Sequence, residues 1–114
     1  MKEQISINRN AVLIIPKQAY YDWANSVFPE DPINEGDFFE YNTYLIREES
    51  LVEGPMEALS DYWVSIFENE LFEISTDDED WPEEITWELF CEFFTCHFSS
   101  LVVDLEDNPF YSEN

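Results

Sequence analysis

Apolar residues recur along this chain with a period of two, then of three to four, then of two again. Residues 10–15 (NAVLII) form a continuous apolar run rich in β-branched side chains, which predicts a buried strand. Ile5 and Ile7 alternate with polar neighbours and extend it backwards. Pro16 ends the strand and suits the first turn of a helix. That helix follows at once: Tyr20, Trp23, Ala24, Val27 and Phe28 make one apolar stripe, and Pro29 and Pro32 stop it. Glu30 to Asp37 reads as a loop punctuated by Gly36. Residues 39–47 (FEYNTYLIR) predict a second strand, with Phe39, Tyr41, Thr43 and Leu45 on one face and Glu40, Asn42, Tyr44 and Ile46 on the other.

An acidic loop with Glu48, Glu49 and Glu53 leads to Gly54-Pro55, which opens the longest helix. Its stripe is Leu59, Tyr62, Trp63, Ile66, Phe67, Leu71 and Ile74. Ser75 to Asp80 is a loop. Thr86 is placed as the N-cap of a third helix, apolar nearly all round, with Glu88 in its first turn. From His97 to Leu105 the pattern returns to a strand. The acidic tail from residue 106 onward has Phe110 and Tyr111 as its anchor points.

The predicted order is β-α-β-α-α-β, and the fold class is α+β. A small three-stranded sheet with helices packed mainly on one face is the simplest arrangement, in a single domain spanning 1–114. The stretch Trp81 to Leu105 carries the densest aromatic run and is expected at the centre. Val12, Ile14, Trp23, Leu45, Trp63, Phe67, Phe90, Phe94 and Val102 are the predicted core.

Charge changes the picture most. Asp and Glu number 27 and Lys and Arg 4, a formal net charge of −23. Such a field repels nucleic acid and anionic membranes and attracts basic proteins and cations. No apolar run approaches a membrane span, and MKEQISINRN lacks the apolar region of a signal peptide, so a cytoplasmic location is expected. Cys91 and Cys96 fit reduced thiols there.

Candidate chemistry is sparse. His97 is the only histidine, and no motif surrounds it. Cys91 and Cys96 have neither the spacing nor the partners of a zinc site. Asp77 to Asp80 are consecutive acids with no glycine, unlike a calcium-binding loop. There is no glycine-rich phosphate loop and no basic patch. Catalytic residues, cofactor and metal are therefore all expected to be absent. What remains is the acidic stretch itself. Asp77, Asp78, Glu79, Asp80, Glu83 and Glu84 put six carboxylates in eight residues around Trp81, an aromatic type enriched at interface hot spots. These seven residues are the candidate partner-binding surface.

The blocks NAVLIIPKQAYYDWANSV, TYLI, WPEEITWELFCEFF and FSSLVVDL resemble a group of short acidic bacterial proteins of uncharacterised function. The resemblance implies histidine at the place of Ser99, whereas this chain has His97. It also implies a bacterial, cytosolic, single-domain protein, and it supplies no activity or site residues.

The function these observations favour is a non-enzymatic acidic binding protein that engages a basic protein partner. It would act in the manner of an immunity protein or of an inhibitor that mimics DNA. The alternative is a small structural or regulatory protein whose charge only confers solubility. A small enzyme ranks last, and the sequence leaves the oligomeric state open.

Overall fold

In the computed structural model, residues 5–37, 40–48, 54 and 56–106 are described. Phe39, the 49–53 loop, Pro55 and the tail from residue 107 onward, with Phe110 and Tyr111, lie outside the described residues. The chain is α+β. Strands β1 (Ile5–Ile7) and β2 (Arg9–Pro16) precede helix α1 (Gln18–Val27). Strand β3 (Asn42–Arg47), helix α2 (Trp63–Phe72) and helix α3 (Trp87–Phe93) follow. Strands β4 (Phe94–Ser99) and β5 (Val102–Asp104) complete the described part.

Two antiparallel sheets replace the single one expected. Strand β2 is central in the order β3-β2-β4, and β1 pairs with β5. The two sheets nearly continue one another. Ala11 faces Ser99 in one, and Ile7 faces Val102 in the other. Three residues, 8–10, therefore lie opposite only two, 100–101. An extra residue of this kind breaks the ladder and bends the strand, which is why the apolar alternation read as one strand divides into two.

The buried side of the three-stranded sheet follows the period of two. Asn10, Val12 and Ile14 of β2 are buried, as are Ile46 of β3 and Phe94 of β4. The amide nitrogen of the buried Asn10 is satisfied: Nδ2 donates to the carbonyls of Glu48 at 2.6 Å and Arg47 at 3.3 Å. Leu45 contradicts the expected core: it is 44% exposed, because β3 turns Asn42, Tyr44 and Ile46 inward instead. In a strand whose two faces are both partly apolar, Ile46 and Leu45 compete for one side, and only one parity can win. Trp23 and Trp63 are half-buried against the core rather than inside it. Val102 is also half-buried, in β5.

Helix α2 is shorter than its stripe. A 3-10 turn at Glu57–Leu59 precedes it, so Leu59 is buried from outside the helix. Its stripe still seats Ile66, Phe67 and Leu71 in the core. Helix α3 begins as expected: the Thr86 side chain accepts from the Leu89 N–H at 3.1 Å. It ends early, at Phe93, and extended backbone begins at Phe94 rather than at His97. The Lys17 N–H donates to the Phe93 carbonyl at 2.7 Å, which ties the start of α1 to this junction.

Arg47 pairs with Asp61 at 2.8 Å, and both partners are exposed. A pair so placed contributes about 0–1 kcal/mol, and with 4 basic residues against 27 acidic ones most carboxylates face like charge however the cations pair. Salt should therefore stabilise this protein. Thermal melts near neutral pH should show a higher midpoint in about 0.3 M sodium chloride than at low salt. A lower midpoint in salt would show that like-charge repulsion does not limit stability.

Candidate functional site

The acidic stretch is a fixed turn. Its hub is Ser75, which is buried and whose N–H donates to the Leu71 carbonyl at the end of α2. The Ser75 hydroxyl donates to the Asp80 carboxylate at 2.7 Å and accepts from the Asp77 N–H at 3.2 Å. Asp77 caps the 3-10 turn Asp78–Asp80, accepting from the Glu79 N–H at 2.9 Å. Two indoles fasten the turn to the body. Trp81 Nε1 donates to the Ser75 carbonyl and Trp23 Nε1 to the Asp80 carbonyl, each at 3.0 Å.

Asp77, Asp78, Glu79, Asp80, Glu83 and Glu84 are all exposed, whereas Trp81 is half-buried and packs against the core. The structure thus holds four of the six predicted carboxylates, Asp77 to Asp80, on one hydrogen-bonded turn, and Glu83 and Glu84 follow it. The seventh residue, Trp81, serves as the bolt that holds the segment in place.

His97 is exposed on β4, opposite Leu13. Its neighbour Cys96 is half-buried on the other side of the strand, as alternation requires. Both cysteines are free. Burial pushes the Cys96 thiol up to about 11, with the nearby Cys91 adding to the rise and Lys17 opposing it. Burial raises Cys91 as well. Thiols held protonated at neutral pH are poor nucleophiles. Among the described residues no group of three or more His, Cys, Asp and Glu side chains is placed to hold a metal ion. No helix among them is long and apolar enough to cross a membrane.

A second site was not foreseen from the sequence. Glu70 of α2 is only 3% exposed. Its Oε2 accepts from the Tyr44 hydroxyl at 2.5 Å and from Asn42 Nδ2 at 2.7 Å. The same Asn42 amide donates to both oxygens of Glu73 at 2.9 Å. Asn69 Nδ2 in turn donates to the Tyr44 hydroxyl at 2.7 Å, and the Tyr20 hydroxyl donates to the Glu70 carbonyl at 2.6 Å.

Burial raises the Glu70 carboxyl above the ordinary glutamate range, and Glu73 adds to the rise, while the bonds from Tyr44 and Asn42 oppose it. Burial, with Glu70 close by, raises the Tyr20 and Tyr44 phenols far above their usual range, so both are neutral donors. Of this group Tyr20, Asn42, Glu70 and Glu73 line a cavity of about 230 Å³, which Tyr21, Tyr41, Ile33 and Glu40 also line.

The sequence held one signal of this site. Glu70 falls between Phe67 and Leu71, on the flank of the buried stripe of α2, where a charge needs a partner. The partners come from β3, and the distance in sequence hides them.

Comparison with protein-family models, with curated proteins and with solved structures finds no match.

Proposed function

We propose that this chain is a non-enzymatic acidic binding protein, and that the segment Asp77–Glu84 engages a basic protein partner. The observation that carries the reading is the one just described: four exposed carboxylates on a turn fastened by Ser75, Trp23 and Trp81, with the exposed Glu83 and Glu84 following it. A surface ordered before binding loses less conformational entropy on association, and a charged one raises the association rate. Both traits suit an inhibitor that works as immunity proteins or DNA mimics do. The reading takes the protein to be cytoplasmic and bacterial, as its resemblance implies. It takes the helices to lie mainly on one face of the three-stranded sheet, which suits the alternating burial along β2.

The test begins with affinity capture from the source cell at low ionic strength, followed by kinetics on the captured protein. The variant to compare carries Asp77→Asn, Asp78→Asn, Glu79→Gln and Asp80→Asn. Asparagine can still cap at 77 and accept from Ser75 at 80, so the turn is retained. The expected result is a basic partner whose association slows by about tenfold or more with the variant at low salt, with a smaller change in dissociation. Unchanged association would remove this surface from the site. It would favour the alternative, in which the charge only confers solubility.

A further inference from the structure

The cavity beside Glu70 has the chemistry of a receptor for a single organic cation. Three observations bear on its ligand. First, Glu70 is buried, yet the two donors that reach it both bond Oε2; among the described residues Oε1 has no partner. A buried carboxylate oxygen without a donor is costly, whatever its protonation state. Second, the groups that shift the Glu70 carboxyl are burial, Tyr44, Asn42 and Glu73, and no cation is among them. Glu73 and Glu40 also line the cavity, and no Lys or Arg is among its described lining residues. Third, Tyr20, Tyr21 and Tyr41 line the same space. Tyr20 is fixed there by its hydroxyl bond and by ring contacts with Tyr21, Trp23, Phe93 and Phe94. Tyrosine rings around a carboxylate favour an ammonium or guanidinium group, through ring-face attraction as well as charge. Among the described residues no three carboxylate, imidazole or thiol groups are placed together to hold a metal ion, so an organic cation suits the cavity better than a metal.

We propose that this cavity receives one lysine or arginine side chain of a basic protein partner, with Glu70 Oε1 accepting from the cationic head. The inference rests on the reading of the chain as a binder of basic partners, and it adds a buried anchor to the acidic turn. The turn supplies long-range attraction. A side chain buried against Glu70 makes a charge-assisted hydrogen bond in a desolvated site, the kind of contact that governs dissociation.

The experiment uses the full chain labelled with ¹⁵N and titrated with N-acetyl-arginine methylamide or N-acetyl-lysine methylamide. The neutral norleucine analogue and calcium chloride are controls. One or both cationic probes should shift the amides of residues 41–44 and 69–74 saturably, and the norleucine analogue should not. Glu70→Gln and Glu73→Gln should each weaken that binding by about tenfold or more, the loss expected for one hydrogen bond to a charged group. Glu73 is exposed, so its variant reports on the site even if the change at Glu70 disturbs folding.

The variant neutralised at 77–80 should bind the small probes as the native chain does, although it associates more slowly with the partner. That contrast separates the two claims. Probe binding without any effect of the turn on partner association would sink the interface reading alone. Shifts spread over residues 77–84 and unchanged by either glutamate variant would overturn the cavity proposal. So would a saturable response to calcium with none to either probe.

Discussion

Phe90→Ala should lower the stability of this protein by about 3–5 kcal/mol. The Phe90 ring is 1% exposed and is the junction of the aromatic core. It stacks on Trp87, with centroids 5.5 Å apart and planes 20° apart. It meets Phe67 edge-on at 5.6 Å, and lies 5.2 Å from Phe94 and 6.1 Å from Trp63. These partners come from α2, α3 and β4, so a void here separates all three at once. Helix α3 is too short to hold its conformation without packing, and the bond from the Leu89 N–H to the Thr86 side chain fixes where it starts. Little relaxation is therefore available, and the cost belongs in the upper part of the range for aromatic-to-alanine changes. The midpoint of thermal unfolding should fall by roughly 10–20 °C. An unchanged midpoint would show that α3 is not central to the fold.

Asn42→Ala should cost about 2–3 kcal/mol near pH 8 and clearly less near pH 5. One amide serves two carboxylates, and among the described residues only the Tyr44 hydroxyl still donates to the buried one when it is lost. The sign of the pH dependence follows from Glu70. Its folded-state pKa lies above the unfolded one, because burial disfavours the charged form. The stability it contributes is complete below the ordinary glutamate range and is lost as pH rises through the raised value. The bond from Asn42 favours the charged form, so its removal raises that value further and is felt mainly above it. Chemical denaturation of both chains at the two pH values measures the difference. In a Glu70→Gln background most of the pH dependence of the Asn42 effect should vanish. An equal cost at both pH values would show that Glu70 is not the group being served.

The α+β class, the N-cap at Thr86 and most of the core were legible because each rests on local periodicity. Val12, Ile14, Phe67, Phe90 and Phe94 fall where the periods place them. Leu45 did not, because both parities of β3 carry apolar residues and the choice was settled by what α2 presents, a glutamate that takes Asn42 and Tyr44 as partners. The break between β2 and β1 was hidden for a related reason: a one-residue offset depends on two strands some ninety residues apart, and neither records it alone. At the candidate site the charge of the acidic turn could be read directly. Its rigidity could not, since it arises from Trp23 reaching Asp80 across 57 positions. The Glu70 cluster was still less visible, because in a chain with 27 acids no single glutamate stands out until its burial is known.

The association rate of the captured partner as a function of ionic strength tests the central claim most directly. If the acidic surface engages a basic partner, the rate should fall by about ten- to a thousandfold as sodium chloride rises from a few millimolar to about 0.3 M, while dissociation changes much less. An association rate that stays flat across that range would contradict the account.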